Sequence, residues 1–77
     1  MDVSPLVAEA KAGDREALIS LIMDQKQEYY KLAYAYMGNR DDALDAVSEM
    51  ALILWDNIHK LKDNTLFYSW SKTILVN

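Results

Sequence analysis

The chain of 77 residues contains eight Lys and Arg, twelve Asp and Glu and no Cys, and its formal net charge is −4. A chain this short folds as one domain with a thin core, and the lack of Cys excludes disulfide bridges and thiolate metal sites. Its single His leaves too few ligands for a structural zinc site, so we expect no metal and no cofactor.

The charge is unevenly distributed. Residues 1–37 carry six acids and four bases (−2), residues 38–58 five acids and one base (−4), and residues 59–77 one acid and three bases (+2). This asymmetry indicates two surfaces for two different partners. The N-terminus lacks the features of a signal peptide, and no apolar run reaches the roughly 18 residues of a membrane span. We therefore expect a cytoplasmic protein without membrane contact.

Two helices are predicted in the first half. Ser4 and Pro5 begin a short helix that Gly13 ends, and Asp14 caps a long second helix that Gly38 ends. Bulky residues recur along the second helix at spacings of three and four, interrupted only at position 25. They are Leu18, Ile22, Tyr29, Leu32 and Tyr36.

Two more helices are predicted in the second half. Asn39 opens the third helix, with Asp42 three residues later as in a capping box. Its core stripe is Ala43, Val47, Met50, Leu54, Ile58 and Leu61. After a polar connector at 62–64, Thr65 caps a fourth helix with Phe67, Trp70 and Ile74 on one side. We expect an all-α fold, a compact bundle of three main helices plus a short N-terminal helix.

The third helix has a second patterned face. It combines carboxylates with large apolar groups: Asp45, Ser48, Glu49, Leu52, Trp55 and Asp56. Such a face suits a partner helix that carries Arg and apolar groups, because charges steer association and aromatic residues anchor it. In the alternative interpretation, Leu52 and Trp55 simply pack under the first helix.

No motif predicts an active site. The "DDALD" of residues 41–45 matches the DDxxD pattern by which isoprenoid synthases bind Mg²⁺ and diphosphate. However, the chain is too short to enclose a prenyl cavity, no second acidic motif is present, and acids are expected in the first turn of a helix. His59 lies at a helix end and is interpreted as structural. We expect that the protein is not an enzyme.

The last segment interleaves basic and aromatic residues. They are Lys60, Lys62 and Lys72 with Phe67, Tyr68 and Trp70. Lysines meet phosphates and bases stack on aromatic rings in single-stranded nucleic acid complexes. The alternative is an amphipathic helix whose aromatic residues fill the core. A domain of net charge −4 is expected to bind free DNA poorly, since phosphate contacts dominate affinity.

Three segments in order resemble region 2 of bacterial sigma-70 family factors, in the extracytoplasmic function (ECF) group. The first is "LVAEAKAGDREALISLI". The second, "YKLAYAYMGNRDDALDAVSEMALILWDNI", contains the counterpart of a D-x-x-Q-E motif followed by L-W. The third, "LFYSWSKTILVN", is similar to an F-x-x-W-x-x-x-I-x-x-N ending. The matching residues are Asp45, Ser48, Glu49, Leu54 and Trp55, then Phe67, Trp70, Ile74 and Asn77.

The resemblance implies two binding surfaces. The D-x-x-Q-E helix of the family docks on the β′ clamp helices of core RNA polymerase, which assigns that contact to Asp45, Ser48, Glu49, Leu52 and Trp55. In the family, the connector and the last helix open the promoter −10 element and capture a flipped base of the non-template strand. Extruding that base costs a few kcal/mol. The DNA-binding set is then Lys60, Lys62, Asp63, Asn64, Thr65, Trp70, Lys72, Thr73 and Asn77, with 62–65 as the base-capturing loop.

The sequence departs from the family pattern at three positions. Ser48 replaces the Gln of the motif, and Thr73 and Val76 stand near positions where arginines are usual. An anti-sigma factor that covers the polymerase-binding face is the expected regulator. The alternative is a sigma-like helical protein–protein interaction module without DNA binding. We expect residues 1–77 to be one region 2 domain cut from a longer factor, whose −35-reading domain would follow Asn77.

Overall fold

Five α-helices form the chain in the computed structural model, which describes residues 2–77. They are α1 (Ser4–Lys11), α2 (Arg15–Asp24), α3 (Lys26–Met37), α4 (Arg40–Asn57) and α5 (Phe67–Val76). Two short 3₁₀ turns, Ile58–Lys60 and Asn64–Leu66, connect α4 to α5. The described residues contain no strand, so the predicted all-α class is confirmed. No helix within residues 2–77 is long and apolar enough to cross a membrane.

The predicted long second helix is divided in two at Gln25, which has φ −111° and ψ 19°. In an uninterrupted helix Leu21 and Tyr29 would face directions about 80° apart, because each residue turns the helix by about 100°. Both side chains are buried, and the bend at Gln25 lets both reach the same core. The interruption of the apolar stripe at position 25 was the sequence signal for this bend.

Two glycines and two polar caps define the helix ends as predicted. Gly13 (φ 105°) and Gly38 (φ 79°) adopt left-handed conformations that favour Gly. The Asp14 carboxylate accepts a hydrogen bond of 3.0 Å from the Glu16 amide. The Asn39 side-chain oxygen accepts one of 2.9 Å from the Asp42 amide, and the Asn39 amide group donates to the Asp42 carboxylate at 2.8 Å.

The other two predicted caps are wrong by one or two residues. Val3 occupies the N-cap position of α1, and Ser4 instead lies in the first turn and donates its amide hydrogen to Asp2 at 2.9 Å. Before α5, Asp63 accepts the Thr65 amide hydrogen bond at 3.0 Å, so the capping carboxylate precedes Thr65. In both cases the carboxylate of an aspartate two residues upstream accepts a hydrogen bond from the backbone amide of the residue that was predicted as the cap.

The core lies where α4 meets α3 and α5, with α1 and α2 packed beside it. Five predicted core residues of the third helix and its extension are buried, and Val47 is half-buried. Those five are Ala43, Met50, Leu54, Ile58 and Leu61. Tyr36 was wrongly placed in the core, since its side chain is 65% exposed at the end of α3. On α5 the buried face is Phe67, Ser71 and Leu75, whereas Trp70 and Ile74 are only half-buried.

A buried hydrogen bond ties α3 to α5. The Tyr29 and Ser71 hydroxyl oxygens are 2.7 Å apart, and both residues are fully buried. Ser71 donates to the Tyr68 carbonyl at 2.8 Å, so the Tyr29 hydroxyl donates to Ser71. Burial raises the pKa of Tyr29 to about 12, which keeps this hydroxyl protonated as a donor.

A second hydroxyl joins α5 to the end of α2. The Tyr68 hydroxyl lies 3.1 Å from an Asp24 carboxylate oxygen and 3.3 Å from the Leu21 carbonyl. Burial, together with the neighbouring Asp24 carboxylate, raises the pKa of Tyr68. Tyr29 and Tyr68 thus connect α5 to both halves of the divided helix.

We predict that Ser71→Ala destabilises the domain more than Tyr29→Phe does. The alanine leaves the buried Tyr29 hydroxyl without an acceptor, which costs about 1–3 kcal/mol. In Tyr29→Phe, Ser71 still donates to the Tyr68 carbonyl, so the loss is about 1 kcal/mol or less. Urea unfolding followed by circular dichroism measures both free energies. Equal losses would contradict the proposed direction of the hydrogen bond.

Candidate functional site

The five residues predicted to contact polymerase lie together along one side of α4. Four of them are exposed and Trp55 is half-buried. We call this surface the α4 outer face: Asp45, Ser48, Glu49, Leu52 and Trp55. Leu52 is 69% exposed, whereas Leu54, two positions away, is fully buried. The apolar run of α4 therefore contributes side chains both to the core and to the α4 outer face. The alternative interpretation, in which Leu52 packs under the first helix, is wrong.

Trp55 is held partly against the domain. Its indole packs on the core, and the Arg15 guanidinium of α2 lies 5.4 Å from the ring centroid. This distance suits a cation–π interaction. Arg15 was missed by the sequence reasoning, because pattern alone does not pair α2 with the second face of α4.

Two grooves border the α4 outer face. One of about 250 Å³ lies between α2 and α4, and the other, of about 500 Å³, lies between α3 and α4. The first is lined by Arg15, Leu18, Ile19, Ile22, Ala51, Leu52 and Trp55. The second is lined by Lys26, Gln27, Tyr30, Arg40, Leu44, Val47 and Ser48. The α4 outer face is thus bordered by two partly apolar depressions, one beside the N-terminal half of α4 and one beside its C-terminal half.

The carboxylates of Asp45 and Glu49 on α4 are available to a cation of a partner. Asp45 and Glu49 are exposed, and the one ion pair within residues 2–77 joins Lys31 to Glu28 on α3 at 3.9 Å. Exposed carboxylates beside an exposed Leu and a half-buried Trp are a combination that suits a basic, amphipathic partner.

Among the predicted DNA-binding residues, Asp63 and Thr65 contact each other. One Asp63 carboxylate oxygen accepts from the Thr65 amide at 3.0 Å and from the Thr65 hydroxyl at 2.6 Å. Two hydrogen bonds lower the pKa of Asp63: the one from the Thr65 hydroxyl has the larger effect, and the one from the Thr65 amide the smaller. These bonds cap the second 3₁₀ turn, and Lys62, which precedes the turn, is exposed.

Lys11 contacts the segment between α4 and α5. From here on the connector means residues 60–65. Its ammonium group donates to the Leu61 carbonyl and to the Asn64 side-chain oxygen. Asn64, predicted in the base-capturing loop, is therefore partly engaged within the domain. Sequence reasoning missed Lys11, because 50 and 53 residues separate it from these acceptors and no periodicity links them.

The predicted DNA-binding residues of α5 occupy two sides of that helix. Trp70, Thr73 and Asn77 follow one another at spacings of three and four and so share a side, whereas Lys72 is rotated about 100° from Thr73. Trp70 lies beside Phe67 with ring centroids 6.2 Å apart, and the Thr73 hydroxyl donates to the Ser69 carbonyl at 3.0 Å. Lys60 and Lys62 are exposed in the connector.

The acids of "DDALD" do not form a metal site. Asp41, Asp42 and Asp45 are exposed, and Asp42 is engaged with Asn39. Within residues 2–77 no group of three or more His, Cys, Asp or Glu side chains is placed to hold a metal ion. Asp41 and Asp42 lie in the first turn of α4, where the helix dipole favours acids.

The sequence profile of "Sigma-70 region 2" matches residues 21–77, which run from the end of α2 through α5. The chain belongs to the sigma-70 family. This match, together with the two relatives described below, confirms the predicted ECF-type region 2 domain. The positions of the predicted motifs all fall within the matched residues, except for the opening segment from α1 to α2.

Two relatives from Bacillus subtilis (strain 168) are similar to this region 2 domain. RNA polymerase sigma factor SigV is 35% identical over 66 residues, which cover 86% of this chain and 40% of SigV. ECF RNA polymerase sigma factor SigW is 27% identical over 77 residues, which cover all of this chain and 41% of SigW. The chain thus spans about two-fifths of the length of these relatives. No solved structure matches it significantly.

We predict that two leucines of the region 2 domain differ sharply in their contribution to stability. Leu54→Ala removes a fully buried side chain and should cost about 2–5 kcal/mol. Leu52→Ala removes a mostly exposed one and should change the free energy of unfolding by less than about 0.5 kcal/mol. Thermal or urea unfolding of both variants measures the difference. A large loss for Leu52→Ala would mean that the α4 outer face is part of the core.

Proposed function

We propose that this region 2 domain docks on core RNA polymerase through the α4 outer face. The observation that carries the proposal is the position of Leu52, exposed on α4 between the half-buried Trp55 and the exposed Glu49. An exposed apolar residue framed by carboxylates is typical of a helix-binding surface, where apolar contact gives affinity and charge gives orientation. Both relatives are RNA polymerase sigma factors, which supports this partner.

Within the polymerase, the specific partner is the pair of β′ clamp helices. Cationic side chains there would pair with Asp45 and Glu49, whose carboxylates have no cationic partner in the described part of the chain. Ser48 has a shorter side chain than the Gln of the family motif, so it contributes less reach to this contact. Docking then depends more on Leu52, Trp55 and the two grooves.

The second part of the proposal concerns promoter DNA. The connector from Lys60 to Thr65, together with α5, recognises the −10 element and helps to open it by binding the non-template strand. Trp70 offers an aromatic side chain for stacking, and Lys60 and Lys62 are exposed cations. Since the net charge of the chain is −4, we expect strand binding only once the domain is held on polymerase.

On this proposal the protein works in the cytoplasm and catalyses no reaction of its own. An anti-sigma factor would regulate it by covering the α4 outer face, in competition with polymerase. The alternative function is a sigma-like interaction module without DNA binding. Thr73 and Val76, which stand near the positions where the family usually has arginines, favour that alternative.

We predict that Glu49→Lys weakens binding to the isolated β′ clamp helices by about tenfold or more, because it places a cation against a basic partner. A pull-down followed by titration measures the affinity. Glu9→Lys, which makes the same charge change on α1, is the matched control and should bind as the unaltered chain does. Equal binding by Glu49→Lys would remove the α4 outer face from the proposed interface.

We predict that, in the polymerase holoenzyme, a single-stranded −10 oligonucleotide crosslinks to residues within 60–77. The crosslinks should be concentrated in the connector and on the side of α5 that carries Trp70, Thr73 and Asn77. Mass spectrometry of the digested complex locates them. Retention on polymerase without crosslinks in this range would instead support the interaction module.

A further inference from the structure

Lys11 connects the first helix to the connector that precedes α5. It is the last residue of α1, it is half-buried, and its ammonium group donates to the Leu61 carbonyl and the Asn64 side-chain oxygen. The two acceptors lie on either side of Lys62 and Asp63. One cation therefore holds both ends of a four-residue segment.

This contact constrains the connector in a way that its own residues do not. Leu61 is buried and anchors one end of the segment, and the Asp63–Thr65 hydrogen bonds shape the second 3₁₀ turn. Neither interaction fixes the distance between the Leu61 backbone and the Asn64 side chain. The ammonium of Lys11 does so, because hydrogen bonds from a charged donor are stronger than those between neutral groups.

The same contact also orients the Asn64 amide. The side-chain oxygen must face the ammonium, because the amide nitrogen is a donor and would be repelled by it. The Asn64 amide hydrogens then face away from Lys11. Without the cation, the amide would be free to rotate and to present either its oxygen or its nitrogen.

We propose that Lys11 is a positioning residue for promoter-strand binding: it holds the connector and the Asn64 amide in their binding arrangement without touching DNA. This inference rests on the proposed function of residues 60–65 as a DNA contact. Lys11 lies outside the residues matched by the family profile, which begin at position 21, and reaches the connector only through the folded structure.

The test uses the holoenzyme assembled with the full chain and three variants. Lys11→Met removes the cation but keeps an unbranched side chain, and Lys11→Arg keeps the cation and can still bridge two acceptors. Lys31→Met, on the exposed side of α3, removes the same charge elsewhere and is the matched control. Affinity for a single-stranded −10 oligonucleotide is measured at several salt concentrations, and amide hydrogen exchange is followed in residues 61–66.

We expect Lys11→Met to bind the strand about tenfold more weakly, because the connector must then be ordered at the moment of binding. Exchange should accelerate in residues 61–66 and not in α3 or α4, and retention on polymerase should be unchanged. The dependence of affinity on salt should also stay the same, since no phosphate contact is removed. Lys11→Arg should recover most of the affinity, and Lys31→Met should leave exchange in residues 61–66 unaltered.

Three results would overturn the proposal. The first is unchanged strand affinity in Lys11→Met. The second is a fall of the logarithmic salt slope by about 0.7, which indicates a direct phosphate contact. The third is accelerated exchange throughout the chain in both Lys11 variants, which indicates a role in global stability alone. If the unaltered holoenzyme does not bind the strand, the proposed function fails, and exchange in residues 61–66 still decides whether Lys11 holds the connector.

Discussion

The buried side of α4 is the constraint on which the rest of the domain depends. This helix packs against α3 and α5, and its side chains Met50 and Leu54 are almost completely buried. Since successive residues of a helix point about 100° apart, fixing this side inward fixes Leu52 and Glu49 outward. The rotation of α4 about its own axis therefore determines both which side chains enter the core and which lie in the proposed polymerase contact.

Sequence reasoning predicted most parts of the structure that depend on local interactions, and the exceptions are the caps placed at Ser4 and Thr65 and the bend at Gln25. The left-handed glycines at 13 and 38, the caps Asp14 and Asn39, and the core stripe of α4 each follow from residues close together in the chain. Helix periodicity and capping are local physics, and the family resemblance added the order of the segments. The two faces of α4 could be proposed from the same periodicity, although the pattern alone did not say which apolar residues stay exposed.

The side-chain contacts that sequence reasoning missed join distant segments of the chain. Ser71 is a small polar residue, a type that sequence reasoning places at the surface, and only the packed fold brings it against Tyr29. Arg15 and Lys11 are likewise ordinary surface residues in the sequence, and their partners Trp55 and Leu61 come from other elements. Such pairs have no periodic signal, because their geometry exists only after the helices have packed.

The two tyrosine contacts of α5 have a consequence for how a ligand would meet this helix. Tyr29 reaches Ser71 from α3, and Tyr68 reaches Leu21 and Asp24 at the end of α2. These bonds hold α5 against the other helices before any partner arrives. Ordering a flexible segment reduces affinity, so an element that is already rigid loses little conformational entropy on association. Whatever binds α5 therefore meets a surface that is preorganised by the interior of the domain.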